Sequence, residues 1–436
     1  MNFPEEFLHF IWRFKLFGSG PLFTTNGEAI QLMSIGVWNK NAGPDFSNAK
    51  LRIDGTVWAG NIEIHVKGSD WMLHQHQHND AYENVILHVV YEDDLPIYRK
   101  DGSLLPVLVI KGLFPEVIFD HFEALVHSIS DFPCAGQIGQ VDDFLVRHFL
   151  SRVLIERLVQ RTEAVAEKLE LAKGDWNAVF YHFLARNFGF KVNSLPMEIL
   201  AQSIPYQLFA KHGDSPLQIE ALIFGQAGFL SQKFSEAYPR QLKREYLFLK
   251  KKYGLKPIAV SLWKFMRMRP QNFPTLRLAQ FSALLSSSQH LFSRLLQAET
   301  IQVAAGLFSD LPVHPFWQDH YHFHRQAKNV AVQLGQHTIH NLLINTVSLI
   351  LFSYGTQMDH YEYVQRAMAF LESLPNEKNA IVSKYIKAGV NIDDAGVSQA
   401  IIQLKSAYCD QKKCLECSIG AYILKKKVPH QKEPKH

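Results

Sequence analysis

Apolar and polar residues alternate along Ala49–Ile53 and again along Trp58–Val66, and Asp54-Gly55 lies between the two runs. Period-two alternation places one face of a strand on a core and the other on polar surroundings. Asp-Gly is a strong two-residue hairpin signal, because both turn positions need a positive φ. The pattern predicts a β-hairpin that pairs Ile53 with Thr56 and Leu51 with Trp58. Carried to the end of the strand, it pairs Asp45 with Ile64. In that register Asp45 shares the apolar face, unless Gly43-Pro44 bends the chain and re-aims it.

Around this hairpin the stretch from Pro21 to about Ile110 is strand-like, including Glu28–Ile35 and Leu104–Ile110. Asn84–Tyr91 is almost continuously apolar and suits a central strand covered on both faces. From about Asp142 the apolar residues recur at helical spacing instead, as at Phe144, Val146, Phe149, Val153 and later Ile339, Leu342, Leu343. A chain of 436 residues exceeds what one core usually supports. The expected fold class is α+β: an N-terminal mixed-sheet domain over 1–130, a large all-helical domain over 131–405, and a cysteine- and lysine-rich tail over 406–436.

No run of apolar residues reaches the length of a membrane span. The start, MNFPEEFLHFIWRFK, carries acids where a signal peptide needs a basic region, and reads as an amphipathic helix. The expected location is the cytoplasm, with no membrane partner. The net charge is +4, and the seven lysines after Cys409 against Asp410, Glu416 and Glu433 account for all of it. A globally basic nucleic-acid binder is therefore not indicated. Lys425-Lys426-Lys427 reads as a solvated run.

Five of the 21 histidines fall between His65 and His88, interleaved with carboxylates. Asp45 and Glu63 offer the oxygen ligands that Mg²⁺ or Mn²⁺ wants. His65, two residues on from Glu63, lies on the same strand face and could orient a water or a phosphate. Lys67 shares that face as a supporting cation. The same residues also fit a turn aspartate and a solvated strand face. His88 is either a hydrogen-bonded core histidine or a ligand. A second grouping, His74 and His76 with Asp80, could hold Zn²⁺ through imidazole, or form a polar loop together with His78.

Cys409, Cys414 and Cys417 fall within nine residues, and Cys134 is the only other cysteine. Four cysteines so spaced fit one all-thiolate site for Zn²⁺ or a [4Fe–4S] cluster, or four separate reduced thiols. Arg267, Arg269 and Arg277, interleaved with Phe265 and Phe273, could contact the phosphates of a nucleic acid or cap helix ends over a packed turn.

Pro44-Asp45, a hairpin, then Glu63-Ile64-His65 resembles the PD-(D/E)xK nuclease motif, with histidine where that superfamily usually has lysine. The order of elements over the first quarter of the chain is similar too. The resemblance implies a metal-dependent nuclease acting on DNA or RNA, with Asp45 and Glu63 as metal ligands and His65 as the water- or phosphate-orienting group. Some of those nucleases also clamp an iron–sulfur cluster between one distant cysteine and a C-terminal triplet. Over most of its length the chain resembles the domain-of-unknown-function 2851 family, found chiefly in Bacteroidetes. That likeness is carried by Gly43-Pro44-Asp45-Phe46, Gly60–His65, Ser69-Asp70-Trp71, Asn84–Tyr91, Gly225-Gln226-Ala227-Gly228 and Arg269-Pro270 with Asn272-Phe273-Pro274, and it implies no particular activity. Three functions are consistent with these features: a metal-dependent nuclease or phosphodiesterase, a non-catalytic nucleic-acid or protein interaction module on a nuclease-like fold, and a zinc hydrolase built on His74, His76 and Asp80.

Overall fold

The computed structural model describes residues 3–18, 20–288 and 290–426. They form two compact units. One comprises the described residues up to Phe149, with Lys387–Val390 and the chain from Lys405 onward; the other comprises Leu150–Ile386 and Asn391–Leu404. The segment 131–149 thus groups with the sheet. Among the described residues no helix is long and apolar enough to cross a membrane.

The first unit opens with helix α1 (Glu5–Arg13). Its acids Glu5 and Glu6 sit in the first turn and Arg13 in the last, matching the helix dipole. Phe7, Leu8, Phe10, Ile11 and Trp12 are buried, and the helix packs on the sheet at strand β5. The sheet is mixed, and its order is β1 (Leu22–Phe23), β2 (Ala29–Ser34), β4 (Phe46–Ile53), β5 (Thr56–Lys67), β6 (Val85–Glu92) and β7 (Val107–Val109). A short β3 (Val37–Trp38) also pairs with β4. The pairs up to β4–β5 are antiparallel; β5–β6 and β6–β7 are parallel.

The hairpin forms where the sequence places it. Asp54 and Gly55 have φ of 42° and 80°, and Ile53 faces Thr56 while Leu51 faces Trp58. Two details differ from simple alternation. Thr56–Ala59 of β5 are exposed, Trp58 included, and coverage begins only at Gly60. The register also shifts: Ala49 faces Gly60, but Phe46 faces Ile62. One extra residue therefore sits on β4, with Asn48 at a φ of 58°. A bulge with one residue in the left-handed region re-aims the strand beyond it. The bend lies at Ser47-Asn48, inside the strand, rather than at Gly43-Pro44.

The parallel β5–β6 pair needs a crossover, and 68–84 supply it with helix α2 (Asp70–Leu73) and two 3₁₀ turns, His76–His78 and Asp80–Tyr82. Val85–Tyr91 of β6 are buried throughout, as expected of a central strand.

The second unit is predominantly helical, as the spacing predicts, but not entirely so. A small hairpin of β8 (His320–His322) and β9 (Arg325–Gln326) interrupts it. The segment is too short and too aromatic to carry a helical period, so the all-helical expectation is corrected. At the other end of the chain, Lys425 and Lys426 close the last described helix, Ser418–Lys426. Lys427 and the rest of the expected solvated run lie outside the described residues.

Gly60 marks the closest approach of β5 to β6. A Cβ there would lie 2.5 Å from both the Asn84 carbonyl oxygen and the Ile86 side chain. Gly60→Ala is expected to cost about 1–3 kcal/mol of stability through overpacking. Urea unfolding checks this; an unchanged midpoint would mean the two strands are not so closely packed.

Candidate metal centre

The bulge decides what Asp45 does. With the extra residue in β4, the Asp45 N–H donates to Glu63 Oε2 (3.1 Å) and the Ile64 N–H donates to Asp45 Oδ2 (2.9 Å). Each carboxylate thus takes a backbone donor from the other's strand, and the two side chains are held against one another. Asn39 fixes the approach by donating its amide to the Pro44 carbonyl (3.0 Å). Asp45 is half-buried, while Phe46 beside it fills the core.

Helix α1 adds two residues that the motif did not indicate. His9 Nε2 lies 3.2 Å from Asp45 Oδ2 and 3.9 Å from Glu5 Oε1. The signal was present as the i, i+4 pair Glu5/His9, which places both on one helix face. Nothing in the sequence shows that this face meets Asp45.

On the other side of Glu63 four imidazoles gather. His65 Nδ1 is 2.8 Å from His88 Nε2, and His65 Nε2 is 3.2 Å from His74 Nδ1. Glu63 Oε1 is 3.1 Å from His76 Nε2 and 3.6 Å from His65 Nε2. The crossover delivers His74 and His76; Tyr82 stacks on His76 with ring centroids 3.8 Å apart, and Trp71 packs edge-on to His65, His76 and His88. Glu63 is therefore shared, with Oε2 toward Asp45 and Oε1 toward the imidazoles.

Burial sets the charges. It pushes the Glu63 carboxyl up to about 9, and the charge of Asp45 adds to that. Burial likewise raises Glu5 to about 7. Burial, then the neighbouring imidazoles His88, His76 and His74, hold His65 down at about 2. Burial holds His88 at about 3 and lowers His76. For His9 burial works downward, but the hydrogen bond and charge of Asp45 outweigh it and the net shift is upward. At neutral pH His65 is thus a neutral acceptor and cannot supply the fixed positive charge of a motif lysine. Lys67 does not supply it either: it is exposed at the end of β5, level with Glu92 of β6.

Asp80 does not join the imidazoles. Its carboxylate is exposed and pairs with Lys100 at 2.5 Å, which also pairs with Glu83. The expected His74/His76/Asp80 grouping is replaced by His65/His74/His76, whose ligand atoms lie within 4.8 Å of one another. A cleft of about 390 Å³ opens beside His76, walled by Trp71, Tyr82, Tyr98, Arg99 and Lys100. A second, of about 360 Å³, reaches His9 and is walled by Arg13, Trp38, Lys412 and Lys413.

The four cysteines all belong to the first unit and none forms a disulfide. Cys134, Cys414 and Cys417 are buried; the thiol of Cys134 is raised by burial and then by the charges of Cys417, Cys409 and Cys414. Burial pushes Cys417 up to about 12 and Cys414 to about 11, with Cys409 contributing to both. The tail thus brings its three thiols within electrostatic reach of the distant one.

In the second unit Arg267 and Arg269 are exposed. Arg277 is not available to a phosphate. It is buried, donates to Gln280, Asn272 and Thr338, and lies over the Phe190 ring. A buried guanidinium needs such a set of acceptors, so its role is structural and the expected phosphate contact is corrected.

The titrating groups make the pH dependence of stability calculable in sign. His65 and His88 bind fewer protons folded than unfolded, so their contribution is lost as pH falls below about 6.5 toward 3. Glu63 and Glu5 bind more protons folded, so theirs is lost as pH rises above about 4.5, toward 7 for Glu5 and 9 for Glu63. The pairs offset each other between roughly 4.5 and 6.5. Above pH 7 Glu63 dominates within this group, and metal-free protein should lose stability from pH 7 to 8.5 through it. Chemical denaturation in chelator should show that decline flattened in Glu63→Gln; an equal slope in both proteins would contradict the burial of a protonated Glu63.

The chain belongs to the family described as "Protein of unknown function (DUF2851)", whose sequence profile matches residues 5–380. The matched span takes in the whole carboxylate–imidazole centre and Cys134, and ends ahead of Cys409. Neither the curated proteins nor the solved structures give a significant match.

Proposed function

We propose that the protein is a metal-dependent phosphodiesterase acting on nucleic acid, DNA or RNA. The observation that carries this reading is the reciprocal seating of Asp45 and Glu63: two carboxylates on adjacent strands, each fixed by the other strand's backbone, one at a strand start and one followed by His65. Asp45 and Glu63 Oε2 would hold a divalent ion, Mg²⁺ or Mn²⁺, which when bound supplies charge neutralisation at the phosphoryl oxygens and a water of lowered pKa.

The chain's own residues do the rest. His65, kept neutral, accepts a hydrogen bond and orients its neighbour. His9, whose proton affinity is raised by Asp45, is placed to hold a proton at Nε2. The cleft beside His76 suits a nucleotide, since Trp71, Tyr82 and Tyr98 offer rings and Arg99 and Lys100 offer cations. This reading is tested with labelled single- and double-stranded DNA and RNA in Mg²⁺ or Mn²⁺. Cleavage is expected in the wild type, with a loss of roughly a hundredfold or more in Asp45→Asn and Glu63→Gln. Undiminished cleavage in Glu63→Gln would sink it. Binding that persists without any cleavage would instead favour an interaction module.

The cysteines support a separate structural metal site. Cys134, Cys414 and Cys417 have raised thiol pKa values, through burial and in part through the charges of the other cysteines, and a bound cation would relieve that cost by taking the thiolates as ligands. Either Zn²⁺ or a [4Fe–4S] cluster fits the donor set. Metal analysis of protein purified without oxygen is expected to give about one zinc, or four irons with a visible chromophore, per chain. Cys134→Ser should lose that metal. Neither metal in the wild type would remove the proposal.

A further inference from the structure

We propose a second metal position in the same centre: a zinc-class transition-metal ion held by Glu63 Oε1, His65 Nε2, His76 Nε2 and His74 Nδ1. It deepens the phosphodiesterase reading by naming the ion on the imidazole side of Glu63, but its evidence is separate.

Four atoms bonded to one tetrahedral ion at about 2.1 Å stand about 3.4 Å from one another. Glu63 Oε1 is 3.1 Å from His76 Nε2 and 3.6 Å from His65 Nε2, His65 Nε2 is 3.2 Å from His74 Nδ1, and one ligand nitrogen from each of the three histidines falls within 4.8 Å of the others. Alkaline-earth ions prefer oxygen and would not choose three imidazoles, whereas zinc and its neighbours do.

The surroundings match a ligand set rather than a polar core cluster. His65 Nδ1 is engaged by His88 Nε2, which leaves His65 Nε2 directed at the shared space; a partner on the far nitrogen is how ligating histidines are commonly oriented. His76 Nε2 is buried, points at Glu63 Oε1 and finds no properly aligned hydrogen-bond donor or acceptor. Tyr82 stacked on one face of His76 and the edge of Trp71 against it hold that ring in place. Glu63, with its other oxygen toward Asp45, is placed as the bridging ligand of a two-metal centre.

The test uses full-length protein stripped of metal by chelator and titrated with Co²⁺. Wild type is expected to develop the intense visible d–d bands of a four-coordinate nitrogen–oxygen site, which persist in Cys134→Ser, whereas the visible and near-ultraviolet thiolate bands of the cysteine site are lost there; the histidine variants are read in that Cys134→Ser background. His74 is exposed, so His74→Ala should leave the fold intact by circular dichroism while weakening this signal's affinity roughly tenfold or more; His76→Ala should do the same. Visible bands of wild-type strength and affinity in both variants, or no such bands in the wild type, would overturn the proposal. The two readings fail separately. If the bands appear but no substrate is cleaved, the phosphodiesterase reading falls and the metal position stands. If Mg²⁺ supports cleavage and the histidine variants bind Co²⁺ as wild type does, the metal position falls and the phosphodiesterase reading stands.

Discussion

A single buried carboxylate, Glu63, organises the N-terminal unit. It sits in the covered part of the central strand β5, 5% exposed, where an isolated charge is unaffordable. Every neighbour answers that constraint in some way. Asp45 brings a backbone N–H to one oxygen, His76 and His65 approach the other, and the carboxyl keeps its proton when no cation is present. Removing the side chain would leave His65, His76 and the Asp45 N–H without their common partner. A fold that needed only a hydrophobic sheet would not place such a group there, which is why its presence argues for chemistry rather than packing.

The strand and helix regions of this fold were readable because their causes are local. Asp54-Gly55 sets a turn through two positive φ values, and Ala49–Ile53 records the pleat in its alternation. The apolar run of β6 is similarly self-evident. The orientation of Asp45 was not readable, because it depends on one extra residue at Ser47-Asn48. A bulge there leaves no trace in an alternating pattern that begins only at Ala49. Glu5 and His9 were visible as neighbours on a helix but not as neighbours of Asp45, since docking of α1 on β5 is a long-range event. Asp80 looked like a ligand by spacing alone; only the nearby Lys100 explains why it turns outward. Arg277 misled for the same reason, with one acceptor, Thr338, lying 61 residues further along the chain.

Histidine at position 65 changes what the site can be. Lysine there would bring a permanent charge and could approach a phosphate. Imidazole in this setting is neutral and directional, with one nitrogen taken by His88 and the other aimed at Glu63 and His74. On the proposed reading, the cationic part of substrate recognition would fall to the cleft walls, where Arg99 and Lys100 stand among aromatic rings on one side and Arg13, Lys412 and Lys413 beside Trp38 on the other.

A short crossover, 68–84, joins β5 to β6. In most parallel pairs that connection is a helix whose task is to cover the sheet. Here 68–84 are short, barely helical, and carry His74, His76 and Tyr82. Asp45 precedes β4, Glu63 and His65 lie on β5, His74 and His76 on the link, and His88 on β6, so these strands must pair before the whole carboxylate–imidazole cluster is assembled. An ion held there as proposed would tie the link to β5, so that its binding and the closure of that link would be coupled.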